Sequence, residues 1–255
     1  MIPKEKAPEI VNSLRSALYT GVDEFTLRKH ENEAKRLLEF DQEMARVALG
    51  FVAALRQNHT DVLHHFTLAI AAATDSSFVY GQWCDAFLYM GKITEAYVMI
   101  KEQVRKHPDI ANLKYYAMHI ATRLARIREA VDYFNEIPLD IIDERDGTII
   151  KQLIDFDVLE KLDKKNISDD DLQKSSLVFF GTLYHYRLLP RWVSIAPSED
   201  FHDDSIPLLT FRVTTTGNCN VVAEAICDTV VKLNTDEAIR DDIFSIILYT
   251  VENVD

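Results

Sequence analysis

The sequence repeats itself at an interval of 34 residues. The segment GKITEAYVMI, residues 91–100, is followed by ARIREAVDYF, residues 125–134. The matched pairs are Ile93 and Ile127, Glu95 and Glu129, Ala96 and Ala130, and Ile100 and Phe134. A fixed period of this length is typical of stacked helix-turn-helix units, none of which can bury its apolar face alone. The pattern predicts an α-helical solenoid, a fold that binds other proteins more often than it performs chemistry.

Small and bulky residues alternate in a way that extends this repeat in both directions. In units that begin at Glu43, Ser77 and Ala111, small residues allow the two helices of a unit to approach closely, and large residues fill the space between units. The small ones are Gly50, Ala69, Cys84, Ala96 and Ala130. The large ones are Leu49, Phe66, Tyr80, Trp83, Phe87, Ile100 and Phe134.

These positions resemble the pattern of tetratricopeptide repeats over residues 43–140. Pro108 stands at the end of the second unit, as in that family, whereas Val62 and Gln103 replace expected small residues, and the first helix of the third unit matches poorly. The resemblance implies a helical-repeat fold with an adaptor or chaperone-like role. A generic α-helical repeat is the alternative interpretation.

Composition supports a mainly α protein. The 255 residues include only 7 Gly and 7 Pro, which favours long helices with short turns. We expect an N-terminal repeat domain over 1–165, closed by a helix at about 147–163, and a small acidic α/β domain over 166–255. Ser168 and the carboxylates that follow it predict the start of a helix that ends before Pro190.

The second domain is predicted to contain strands as well as helices, and we recognise no family in it. Strands are predicted near Trp192–Ile195, at 208–216 and at 243–251, with a helix at 219–233, which gives the order β-β-α-β. If the last two strands are neighbours, their helical crossover makes them parallel. The apolar last strand needs a cover, either the solenoid or a second copy in a homodimer.

Charge is unevenly distributed along the chain. Of a net charge of −13, residues 166–255 carry −9, from 6 basic and 15 acidic side chains. This balance argues against a nucleic-acid or anionic-membrane surface there, and it permits a basic partner. The sequence has no apolar run of membrane-spanning length and no signal-peptide core, so we expect a cytoplasmic protein.

Candidate partner-binding residues cluster in the repeats. The basic cluster consists of Arg105, Lys106, Arg123, Arg126 and Arg128, and it could pair with an acidic tail or a peptide carboxylate. Tyr115 and Tyr116, with Tyr97 and Tyr133, could line a groove and anchor a peptide. A solvated charged exterior and packing between repeats are the competing interpretations. The predicted partner-binding set is Arg105, Tyr115, Tyr116, Arg123 and Arg126.

Other patterns in the sequence do not have the spacing of a functional site. His59, His64 and His65 have the wrong spacing for a metal on one helix face, and His202, Asp203 and Asp204 lack a calcium-loop pattern. Cys219 and Cys227 are predicted to be buried structural thiols, and we expect no disulfide, metal or cofactor. The turn Thr214–Asn218 has a single glycine and no lysine, which is weak for a phosphate loop.

The sequence therefore predicts a non-enzymatic interaction scaffold that binds a protein or peptide on its helical-repeat groove. Two alternatives stay open. The acidic module could make the protein an immunity protein or antitoxin that covers a basic toxin. The strand-turn-helix at 214–222 could instead belong to a small-ligand-binding or enzymatic module, for which His185 and His202 are the few available side chains.

Overall fold

The structure is a computed structural model that describes residues 6–188, 192–198, 208–215, 218–243 and 246–253. In this part of the chain, helices are followed by a three-stranded sheet with a further helix. The predicted fold class, mainly α with a small α/β module, is confirmed. Contacts divide the chain into two units, Met1–Leu113 and Lys114–Asp255. The predicted domain boundary at residue 165 stays a prediction.

The described part of the first unit contains six complete helices of 14 residues each. They are α1 (Ala7–Thr20), α2 (Glu24–Leu37), α3 (Gln42–Leu55), α4 (His59–Ala72), α5 (Ser76–Tyr89) and α6 (Ile93–Lys106). Helices α3 and α5 begin 34 residues apart, at Gln42 and Ser76, and α4 and α6 do the same, at His59 and Ile93. Neighbouring helices pack on each other, so the period read from the sequence is also a period of helix pairs.

The turn between the two helices of a pair is repeated as well. Gln57, Gly91 and Ala125 lie 34 residues apart, and all three have left-handed backbones, with φ of 57°, 73° and 55°. In each turn the next residue donates its N–H to a carbonyl five positions back, at 2.8–2.9 Å. This is the Schellman ending of a helix, and its recurrence at one interval shows that the same local structure is built three times.

The close approach predicted at Gly50 is present. A Cβ on Gly50 would lie 2.6 Å from Cε2 of Phe66, the aromatic residue of the facing helix α4. The Phe66 ring is completely buried, packs edge-on against Phe51 and stacks on Trp83 at a centroid distance of 5.6 Å. Gly50 and Phe66 thus pack directly against each other in the core of the first unit.

The second unit begins within α7 (Ala111–Arg123) and continues with α8 (Ile127–Glu136), which begins 34 residues after α6. The single helix predicted at 147–163 is wrong, because two helices, α9 (Glu144–Asp155) and α10 (Val158–Lys164), occupy this stretch. Asp157 takes a left-handed backbone, with φ of 51°, and interrupts the helix. Periodicity alone does not reveal such a break, since apolar spacing continues across it.

Helix α11 (Asp169–His185) starts as predicted. Ser168 and Asp171 form a capping box, in which each side chain accepts a hydrogen bond from the backbone N–H of the other residue. Phe179 and Phe180 of α11 pack on Phe211 and Tyr249 of the sheet, with ring centroids 4.7–5.9 Å apart. The Tyr249 hydroxyl donates to Oγ of Ser175 at 2.5 Å.

The sheet contains β1 (Trp192–Pro197), β2 (Leu209–Thr215) and β3 (Ile247–Asn253) in that order, with α12 (Cys219–Thr235) between β2 and β3. Strands β1 and β2 are antiparallel and β2 and β3 are parallel, as predicted for a helical crossover. The last strand begins later than predicted, because Ile243 ends a turn and packs with Leu233 and Ile239.

Candidate functional site

The candidate partner-binding residues lie in different surroundings. Arg105 is exposed on α6 in the first unit and donates two hydrogen bonds to Glu102, at 2.8 and 2.9 Å. Those hydrogen bonds lower the pKa of Glu102 to about 2. Tyr115, Tyr116, Arg123 and Arg126 lie in the second unit, and the first three share α7.

A hydrogen-bonded chain runs along α7 and connects it to α9. The Tyr115 hydroxyl donates to Oδ2 of Asp146 at 3.0 Å, and Nδ1 of His119 lies 3.2 Å from the same oxygen. Nε of Arg123 donates to Nε2 of His119 at 3.1 Å. Residues 115, 119 and 123 lie one helical turn apart, so the helix itself aligns their side chains. We call these four residues the α7 network.

The order of donors fixes the state of His119. A guanidinium has only N–H donors, so Nε2 of His119 must be the acceptor in the bond from Arg123. The ring proton then sits on Nδ1 and points at the Asp146 carboxylate. A neutral imidazole therefore connects a carboxylate to a guanidinium.

Burial and charge oppose each other at Asp146. Burial of this side chain favours its protonated form, but hydrogen bonds from the His119 ring and the Tyr115 hydroxyl, together with the Arg123 charge, outweigh burial and lower the pKa of Asp146. Burial, followed by the neighbouring Asp146 charge, raises the pKa of Tyr115. At neutral pH the carboxylate is ionised and the phenol keeps its proton, which are the states that the hydrogen bond requires.

Arg123 is a buried cation with few hydrogen-bond partners. Arg123 is only 6% exposed. Among the described residues it makes one hydrogen bond, to the neutral ring of His119. A guanidinium has five N–H donors, so most of its capacity stays available to an acceptor. The half-buried rings of Tyr115 and Tyr116 lie nearby on α7, with centroids 5.7 Å apart. The arrangement is suited to hold a carboxylate beside aromatic rings.

Arg126 has a different environment from Arg123. It donates to Glu129, Asp170 and Gln173 at 2.6–2.7 Å and thereby joins α8 to α11. Arg128 makes similar contacts with Asp163 and Asp169. Two members of the predicted basic cluster are thus engaged within the second unit.

Sequence reasoning missed the role of Asp169. Its carboxylate accepts the backbone N–H groups of Arg128 and Glu129, both at 3.2 Å, and so caps α8, whose own N-cap Arg126 provides no side-chain cap. In the sequence, the Ser-Asp-Asp-Asp run indicates only the start of its own helix. The N-cap residues of α6 and α8 are both basic, Lys92 and Arg126, and neither side chain caps its helix. In the sequence, this is the signal that the free N–H groups of such a helix need a hydrogen-bond acceptor from elsewhere.

The thiol predictions need a correction. Cys219 and Cys227, predicted to be buried, are exposed on α12. Helix α12 buries a different stripe, formed by Val222, Ala225, Thr229 and Leu233. Cys84 is buried, and burial together with the neighbouring Asp85 raises the pKa of its thiol.

A shallow cleft of about 420 Å³ lies between α11 and α12, lined by residues such as Leu177, Gly181 and Lys232. Nζ of Lys232 lies 3.3 Å from an Asp228 oxygen, and the Thr182 and Thr235 hydroxyls donate to carbonyls of their own helices. These groups are committed to local contacts and do not converge on a ligand.

Several predicted sites fall wholly or partly outside the described residues. His202, Asp203 and Asp204 lie outside them, as do Thr216 and Gly217 of the strand-turn-helix. Within the described ranges, no group of three or more His, Cys, Asp or Glu side chains is placed to hold a metal ion. The helices described include none that is long and apolar enough to cross a membrane.

Comparison with known proteins adds no relative. No protein-family model, curated protein or solved structure matches the chain.

Proposed function

We propose that this protein is a non-enzymatic interaction scaffold, and that its helix pairs are tetratricopeptide-like repeats. The 34-residue spacing of the helices and of their left-handed turns supports the repeat assignment. In this proposal a protein or peptide partner binds the α7 surface, which is formed by Tyr116 and the α7 network.

The observation that carries the proposal is the state of Arg123. Among the described residues, this guanidinium makes one hydrogen bond, to a neutral imidazole. Its charge also acts on Asp146, but N–H donors remain for a further anion. An acidic side chain or a C-terminal carboxylate of a partner supplies that anion in the required planar geometry. Tyr115 and Tyr116 supply apolar contact area beside it.

Affinity capture from the native host tests this proposal, with the wild type compared with Tyr116→Ala and Arg123→Lys. Lysine keeps the charge and loses the bidentate fork, so the fold is preserved while carboxylate recognition weakens. Tyr89→Ala is the matched control, since Tyr89 is also a half-buried tyrosine but lies on α5 in the first unit. Thermal unfolding of each variant verifies that it is folded.

The proposal predicts one stoichiometric partner that is retained by the wild type and by Tyr89→Ala but is lost from Tyr116→Ala and Arg123→Lys. Equal retention by all four forms contradicts it. If the equally retained partner is a small basic toxin, the acidic C-terminal module takes the binding role and the protein is an inhibitor of that toxin.

A further inference from the structure

A guanidinium also donates to a neutral imidazole in the first unit. Nη1 of Arg46 on α3 lies 3.4 Å from Nδ1 of His65 on α4, and the two helices pack on each other. Arginine has only N–H donors, so Nδ1 of His65 is the acceptor and the ring proton sits on Nε2. The pair therefore carries one positive charge, on Arg46.

The charge of Arg46 is not balanced by a carboxylate of the described residues. Within this part of the chain, the bond to His65 is its one hydrogen bond, and it forms no ion pair. The chain has 41 Asp and Glu residues against 28 Lys and Arg, so acidic partners are not scarce. Because a half-buried cation without a counter-charge is costly, the position favours an anion from outside the chain.

Further positive or ionisable groups surround the same ring. The His64 ring packs edge-on against His65, with centroids 5.2 Å apart, and His64 is exposed. Burial lowers the pKa of His65, and the charges of Arg46, His64 and Lys35 lower it further, whereas the charge of Asp61 raises it. An anion placed beside these groups would relieve their mutual repulsion. We call Arg46, His64 and His65 the α3–α4 cluster.

We propose that the α3–α4 cluster binds a phosphate group as a dianion, with uptake of one proton from solvent. As an ionised oxygen approaches, Nδ1 of His65 binds that proton and no longer accepts from Arg46. The imidazolium and the guanidinium then both donate to the phosphate oxygens. Their two positive charges balance a dianion, whereas a carboxylate would balance only one. Lys35 adds little to this balance, because it is paired with Glu31 at 2.5 Å.

Sulfate is the first probe of the site. It stays a dianion between about pH 6 and 8, where imidazole titrates, whereas a phosphate monoester gains a proton near about pH 6. Titration of the full chain with sodium sulfate is followed by proton–nitrogen NMR spectra of the imidazole rings, which report the tautomer and charge of each ring. His65→Gln identifies the His65 signals, and sodium chloride at equal ionic strength controls for screening.

The proposal predicts a saturable response in which sulfate converts the His65 ring to its doubly protonated form. Affinity rises as pH is lowered from about 8 to about 6, by up to about tenfold per pH unit, because one proton is bound with the anion. Arg46→Gln weakens binding by about tenfold or more. Arg28→Gln is the matched control and weakens it less than about twofold, since it removes the same charge from a guanidinium already paired with Glu24.

Two further arms identify the source of the phosphate group. Tighter binding of phosphoserine amide than of inorganic phosphate assigns the site to a phosphorylated side chain of a partner, and the reverse order assigns it to the free ion. The α7 surface lies on helices of the second unit, so either proposal can fail while the other holds.

Three results overturn the proposal. They are a sulfate response no larger than that to sodium chloride, equal affinity of Arg46→Gln and Arg28→Gln, and an affinity that does not rise as the pH falls. Thermal unfolding verifies that each variant is folded. If Arg46→Gln does not fold, the pH dependence of sulfate binding to the wild type decides, together with its loss in His65→Gln as followed through the His64 ring.

Discussion

Replacement of Gly50 by alanine is expected to destabilise the protein, against the usual effect of this change in a helix. A helical glycine replaced by alanine ordinarily stabilises a protein by about 0.5–1 kcal/mol, because alanine loses less backbone entropy on folding. At Gly50 the new Cβ would lie 2.6, 2.9 and 3.0 Å from three carbons of the Phe66 ring. Real Cβ atoms do not approach a ring this closely, so α3 and α4 must move apart or the ring must turn.

The ring has little room to turn. Phe66 is completely buried between Phe51 and Trp83, with centroid distances of 5.9 and 5.6 Å. Overpacking of this kind costs about 1–3 kcal/mol, and the propensity gain offsets part of it. We expect a net loss of about 1–2 kcal/mol, which lowers the melting temperature by roughly 2–8 °C for a chain of this size.

Urea and thermal unfolding followed by circular dichroism measure this effect. Gly181→Ala is the matched control, because Gly181 is also a helical glycine but a Cβ there meets nothing within 4 Å. It should stabilise by about 0.5–1 kcal/mol. The double variant Gly50→Ala/Phe66→Leu should lose less stability than the two single variants summed. If Gly50→Ala stabilises as much as Gly181→Ala, the close packing of α3 on α4 is refuted.

Three further predictions concern the second unit. Asp169→Ala should cost about 1–3 kcal/mol in urea unfolding, because α8 loses its cap, whereas Asp170→Ala, at a side chain 74% exposed, should cost under about 1 kcal/mol. Asp157→Gly should stabilise by about 0.5–1 kcal/mol, since φ at this exposed position is 51°, and an unchanged melting temperature would contradict this. Because the pKa of Asp146 is lowered from its ordinary value of 3.8, the ionised carboxylate stabilises the fold at pH values above 3.8. This stabilisation is lost as the pH falls through the lower pKa of the folded state. The melting temperature of Asp146→Asn should therefore fall less steeply at acid pH than that of the wild type.

Local and periodic features could be predicted from the sequence. The echo between residues 91–100 and 125–134 placed α6 and α8 correctly, and the strand predicted at 208–216 corresponds to β2. The parallel pairing of β2 and β3 followed from the helix between them. Such features depend on neighbours in sequence or on chain connectivity, which a single sequence contains.

Contacts between distant residues could not be predicted in the same way. The α7 network needs Asp146, 27 residues from His119, and the cap of α8 comes from Asp169, 41 residues from Arg128. Neither distance follows from periodicity, and the predicted start of its own helix already accounts for Asp169. The exposure of Cys227 does not follow from the sequence, because two sets of apolar residues on α12 have helical spacing and either could face inward.

The footprint of a captured partner tests the central claim most directly. Hydrogen exchange of the full chain, measured alone and in complex with that partner, should show slowed exchange over residues 115–123 and in the first turns of α9 around Asp146. Arg123→Lys should remove this protection at the same partner concentration. Protection confined to residues 208–253, with residues 115–123 unchanged, would contradict the account and assign partner binding to the acidic module.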